Sequence, residues 1–139
     1  MSTISDLTTY LIAQGIVGGS TEWAIKHRRT MDSPVTDQLV TLMEDGGPPP
    51  EISTATGIGD EALQDIGVLV TIRGNAWKGD VNYTKAMEIF DELHGKRDIT
   101  LVSKLYLRIR AMTPEPVFLG FDDQGRPRHT IAFLLLADA

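Results

Sequence analysis

The chain contains no cysteine. That absence removes a disulfide framework, a thiolate zinc site and a cysteine nucleophile together, and it suits folding in a reducing compartment. Long apolar runs are missing too. The stretch Ile131 to Ala137 is far too short to span a bilayer. The segment Met1 to Ile16 has no basic residue ahead of its apolar positions and is interrupted by polar ones, so it reads as neither a signal peptide nor a membrane anchor. The expectation is a soluble protein without membrane contact.

Positive charge is also in short supply. With 13 Lys and Arg against 19 Asp and Glu, the formal net charge is −6, which repels phosphate and disfavours general binding to a DNA surface. The densest basic run, Lys26-His27-Arg28-Arg29, reads as a solvated strand face.

The patterns that announce catalysis are absent as well. Histidine occurs only at positions 27, 94 and 129, on separate predicted elements and without metal-ligand spacing. No Gly-x-Ser-x-Gly elbow is present. Gly57 to Gly59 is half a phosphate-binding pattern, lacking both a leading strand and a following Lys-Ser/Thr. Asp122 and Asp123 could pair at a metal, but before Gln124-Gly125 they occupy turn positions. The expectation is a protein that is not an enzyme, with no catalytic residue, no cofactor and no metal.

What is there is a chain of 139 residues, 42% hydrophobic, sufficient for a single domain over residues 1–139 with a genuine core. Ile4, Leu7, Leu11 and Ile12 predict a short amphipathic helix, with Thr3 and Asp6 resembling a capping box and Gly15 as its stop. Alternation predicts strands from Trp23 to about Ser33, from Gln38 to Glu44, and over Ile66–Ile72 with Ile66, Val68, Val70 and Ile72 on one face. Ala86, Ile89, Phe90 and Leu93 predict a second helix, capped by Asp80 or Asn82 and closed by Gly95. Leu105, Leu107 and Ile109 predict a strand whose other face is basic, ended by Pro114 and Pro116. After a turn at Asp122 to Gly125, Ile131, Phe133 and Leu135 predict a final, largely buried one, and the turn implies a terminal hairpin. Between Asp45 and Asp65 lies a long loop with Gly46, Gly47 and three consecutive prolines, of the kind that serves as a binding loop. The fold class that follows is α+β: a mainly antiparallel sheet of about four to five strands with two helices packed on one face and a long proline/glycine-rich loop.

Three segments resemble the bacteriophage minor capsid protein family, whose members are similar to siphophage tail terminators and tail-to-head joining proteins. They are Gly46-Gly47-Pro48-Pro49 leading to Val70-Thr71-Ile72-Arg73-Gly74, the helix end Ile89-Phe90-Asp91-Glu92-Leu93-His94-Gly95, and Pro116-Val117-Phe118-Leu119-Gly120-Phe121-Asp122-Asp123-Gln124-Gly125-Arg126. The resemblance covers roughly the last two thirds of the chain. It implies a structural virion protein, assembled in the bacterial host cytoplasm, that forms a homo-oligomeric ring of hexameric type. The ring would cap the tail tube protein, stop tube growth and meet a neck or head-completion protein, while DNA passes through its lumen without specific binding. A head-completion or stopper protein is the neighbouring alternative, and a small cytoplasmic enzyme drawing pocket residues from the long loop is the alternative from another class. Such a subunit needs side-to-side contacts that close by rotation and two axial surfaces. The candidates are Pro48, Pro49, Pro50, Glu51 and Ile52 in the long loop, Trp77 as an aromatic anchor, and a basic strand face of Lys104, Arg108, Arg110 and Arg73 facing an acidic neighbour.

Overall fold

Alternating β-branched residues bury one face of an extended strand. In the computed structural model, Val68, Val70 and Ile72 are fully buried, and Leu69, Thr71 and Arg73, pointing the other way, are half-buried. The structure describes residues 3–18, 22–27, 37–46, 63–102 and 104–138. They form α1 (Thr3–Ala13), β1 (Ala24–His27), β2 (Leu39–Gly46), β3 (Leu63–Arg73), α2 (Gly79–Leu93), β4 (Arg97–Leu101), β5 (Lys104–Ala111), β6 (Val117–Phe121) and β7 (Pro127–Asp138).

The strands make one seven-stranded sheet in the order β1-β2-β3-β7-β5-β4, with β6 also paired to β7. The 12-residue β7 is its hub. One edge of β7 pairs antiparallel with all of β3, from Leu63 opposite Asp138 to Arg73 opposite Arg128. Its other edge is shared: Phe133 to Ala137 pair with β5, and Pro127 to Thr130 with β6.

This architecture corrects the expected sheet of about four to five strands. It has seven strands and is mixed, because β1 runs parallel to β2 with Ala24 beside Leu39. The strands that no residue range anticipated are β4 and β6, the latter being the first arm of the terminal hairpin expected about the turn at Asp122 to Gly125. In β4, Asp98 at φ 48° interrupts the alternation a strand is recognised by. In β6, Val117-Phe118-Leu119-Gly120-Phe121 has no polar residue to alternate with, and a register shift falls between Phe118 and Gly120. β2 and β3 also reach further into the long connection than expected, to Gly46 and from Leu63, so residues 47–62 join two antiparallel neighbours.

Both helices contribute to one apolar cluster on one side of the sheet. Ile4, Leu7 and Leu11 of α1 and Ala86, Ile89, Phe90 and Leu93 of α2 meet Val40, Leu42, Val68, Val70, Ile72, Ile131, Phe133 and Leu135 there. Ile12, expected on the buried stripe, is 42% exposed. α1 touches β1 and β2 at one end of the strand order and β4 at the other, so the sheet curls around it.

The expected Thr3/Asp6 capping box is replaced by a link between α1 and β5. Tyr106, fully buried, donates its hydroxyl proton to Asp6 Oδ2 at 3.1 Å, which leaves its oxygen to accept from Thr3 Oγ1 at 3.0 Å. Burial, with the neighbouring Asp6 carboxylate, pushes the Tyr106 hydroxyl pKa up. Tyr10 ties the two helices together by donating to Glu92 Oε2 at 2.7 Å, and burial followed by that carboxylate raises its pKa to about 12. Gly15 ends α1 at φ +74° and Gly95 follows α2 at φ +87°, the left-handed geometry of helix C-termini.

Candidate partner-binding surfaces

An aromatic patch forms where the N-terminus of α2 meets the β6–β7 turn. The chain leaves β3 at Gly74 and turns through Asn75, whose carbonyl accepts from Lys78 N at 3.1 Å. Trp77 in that turn donates its backbone N–H to Gly125 O at 2.8 Å. Trp77 has φ 60° and is 73% exposed, so one indole face lies against the chain and the other is open to solvent. Gly125, at φ +77°, provides the seat: a Cβ there would lie 2.6 Å from the Trp77 ring. Gly125→Ala is therefore expected to lift the indole and to destabilise the fold by about 1–2 kcal/mol through the left-handed backbone alone. Tryptophan fluorescence and thermal unfolding check it, with Trp23, which is buried, as the unaffected internal reference.

From Trp77 the patch continues along β6. Trp77 and Phe121 have ring centroids 5.0 Å apart, Phe118 and Phe121 5.5 Å, and Phe118 and His129 5.2 Å. Val117, Phe118, Leu119 and Phe121 are each 42 to 51% exposed, an unusual amount of open apolar surface for five consecutive strand residues. Beside them Trp77, Lys78, Gly79, Asp80 and Val81 line a shallow open groove of about 400 Å³.

The turn behind the patch is held by charge. Asp122 Oδ1 accepts from the backbone N–H groups of Gln124 and Arg126, both at 2.9 Å, and Oδ2 accepts from Arg126 Nε at 2.7 Å. Burial would raise the Asp122 pKa, but these donors and the Arg126 charge outweigh it and hold the carboxyl below its ordinary value. Arg126 also pairs with Asp37 at 3.2 Å. Asp122 is thus a turn residue bound by its own chain. Among the described residues no cluster of histidine and acidic side chains has the geometry to hold a metal ion.

The second surface is basic. Arg110 pairs with Leu134 and Arg108 with Leu136, and both leucines alternate away from the buried Phe133, Leu135 and Ala137. Arg108 and Arg110 therefore stand on the outer face of the sheet, and both are exposed. The other two residues expected there are elsewhere. Lys104 lies with its Nζ 5.7 Å from the ring of the core residue Tyr106, because the register shift between Tyr106 and Arg108 breaks the alternation. Arg73, opposite Arg128, is six positions along the hub strand from the partner of Arg110, roughly 20 Å at the rise of a strand. There it donates from Nε to Asp37 O at 3.0 Å. Its pKa is lowered, first by burial and then by Arg126.

Pro48, Pro49, Pro50, Glu51 and Ile52 lie outside the described residues, as do Arg28 and Arg29 of the basic run. What the residue pattern did not anticipate is the contribution of β6, and Arg97, which stands opposite Arg108 and joins the basic surface. The apolar run Val117 to Phe121 was the available signal for a strand, but its exposure follows only from its pairing with β7.

No protein-family model matches the sequence, and no curated protein matches it. Among solved structures, the fold is similar to that of a chain in the virion of a native gene transfer agent particle, with a TM-score of 0.62 and 13% identity over 97% of this chain and 90% of that one. The likeness therefore spans the whole arrangement of sheet and helices.

Proposed function

We propose that the protein is a structural, non-enzymatic virion subunit of the tail-terminator type, which assembles with copies of itself into a ring, caps the tail tube and joins it to the neck. The observation that carries the reading is the likeness in fold, over 97% of the chain, to a chain of a gene transfer agent virion. The three segments that resemble the minor capsid protein family point the same way. The surfaces suit the role: an open aromatic edge at Trp77, Phe118, Leu119 and Phe121 and a separate arginine face at Arg108 and Arg110 give one subunit different contacts on different sides. In this reading the connection carrying Pro48 to Ile52 is a further axial contact, and DNA passes the lumen without specific recognition.

The test is tube growth. Purified protein is added to polymerising tail tube protein and the products are imaged by negative stain. Capped tubes of arrested length, with ring-shaped ends, are expected. Tubes that lengthen as they do without the protein would overturn the terminator role, and binding to isolated necks or portals without any effect on tubes would favour a stopper.

A further inference from the structure

We infer that the arginine face of β5 and the acidic outer stripe of α2 are the two halves of one contact, made between successive copies of this chain. The inference rests on the ring reading and names the contact within it.

Arg97, Arg108 and Arg110 are exposed, and none makes an ion pair with any described residue. Arg97 and Arg108 are direct cross-strand partners. Like charges placed opposite one another disfavour the sheet that holds them. A chain with net charge −6 has no shortage of carboxylates, yet among the described residues none forms an ion pair with this group. Beside the arginines the outer face continues through the half-buried Leu134 and Leu136, so the surface is an apolar strip with a basic border.

The complementary surface is on the other layer of the same molecule. Asp80, Thr84, Glu88 and Asp91 follow one another at helical spacing and are all exposed. Asp80 and Asp91 make no ion pair among the described residues, and Glu88 has only Lys85, at 3.2 Å on the same helix. α2 packs on the inner side of β7, β3 and β5, and the arginines stand on the outer side. The sheet lies between them, so one copy cannot bring its own two surfaces together. A second copy can.

Because the two surfaces differ, the contact is heterologous. Every copy offers one basic face and one acidic face, and repetition closes into a ring or runs on as a filament. Exposed ion pairs contribute little one at a time. As a matched array they select partner, orientation and encounter rate. Phosphate would also satisfy the arginines, but the nearby acidic stripe and the overall charge oppose a nucleic acid and favour a polypeptide with an acidic helix, which this chain itself supplies.

Four full-length variants test the inference in the tube-capping assay, with circular dichroism confirming the fold of each. Arg108→Glu with Arg110→Glu, and separately Glu88→Arg with Asp91→Arg, should each reduce ring formation and capping at least about tenfold. Combining all four substitutions in one chain restores opposite charges across the contact and should restore assembly. Because the chain has no cysteine, Arg108→Cys with Asp91→Cys gives a direct readout, a ladder of covalent multimers under oxidation. Capping that survives charge reversal, a fourfold variant that stays inactive, arginine reversal that releases DNA while rings persist, or capping without a ladder would each overturn the contact. A ladder from a protein that never caps tubes would instead uphold the contact and overturn the terminator reading.

Discussion

Replacing Phe133 by alanine is expected to lower the unfolding free energy by about 3–5 kcal/mol, the cost of emptying a buried aromatic site. Phe133 is 1% exposed at the middle of β7, opposite Val68 on β3 and Ala111 on β5. It belongs to the cluster that receives both helices, so the cavity would open where three strands and two helices converge. Close packing leaves such a site few ways to collapse. For a domain whose total stability is typically about 5–15 kcal/mol, the loss is a large fraction of the whole. Its neighbour Leu134 points to the outer face and is half-buried, and Leu134→Ala on unassembled protein should cost only about 1 kcal/mol. Urea unfolding of both variants reads the contrast. Equal losses would mean that the outer face is as tightly covered as the core.

That contrast between alternate residues is what made part of the fold legible. Val68, Val70 and Ile72 and then Ile131, Phe133 and Leu135 announce a strand by period, and the same residues form the buried faces of β3 and β7. Ala86, Ile89, Phe90 and Leu93 announce α2 in the same way. Where the period fails, so does the reading. Asp98 at φ 48° and the register shift after Tyr106 break the alternation of β4 and β5, hiding one strand and placing Lys104 and Arg108 in different surroundings. β6 is apolar throughout, so nothing in it distinguishes inside from outside, and its structural place comes from β7 beside it. The parallel pairing of β1 with β2 depends on where the chain returns between them, which no local pattern records.

The candidate surfaces were legible to the same extent. Arg108 and Arg110 flank the buried Ile109 and are exposed, and Trp77 is open to solvent beside the start of α2, but Leu105, expected on the core face, is exposed and Tyr106, expected opposite it, is buried. Arg73 follows the same alternation, yet it lies at the far end of the sheet, because position along a strand is fixed by pairing with β7. Thr3 and Asp6 have the spacing of a cap, but Tyr106, a hundred residues away, claims both. Local chemistry gave these residues a plausible local role, and a tertiary partner overrode it.

Asn82 shows the same override with a measurable consequence, and Asn82→Ala is expected to cost about 3 kcal/mol, near the upper end for stranding buried polar groups. Placed in the first turn of α2, it invites assignment as a helix cap. It is instead fully buried, donating from Nδ2 to Ile72 O at 3.0 Å and to His129 Nδ1 at 2.7 Å, while Gly74 packs so closely that a Cβ there would lie 3.0 Å from it. Its two amide protons serve one acceptor each, which puts the His129 proton on Nε2 and requires a neutral ring. Burial accordingly lowers the His129 pKa. The sign of the linkage follows. Above the ordinary histidine value of about 6.5 the ring is neutral in both folded and unfolded states, and the full stability is present. As the pH falls below that value the unfolded chain takes up a proton that the folded one refuses, so stability declines until the pH passes the lowered folded pKa. His129→Leu should flatten this decline below about pH 6.5 even if it lowers stability at neutral pH. Unfolding curves collected across that range for wild type, Asn82→Ala and His129→Leu test the pair. An unchanged slope in His129→Leu would assign the acid sensitivity to carboxylates instead, and a negligible cost for Asn82→Ala would mean that water reaches the Ile72 carbonyl and the imidazole once the amide is gone.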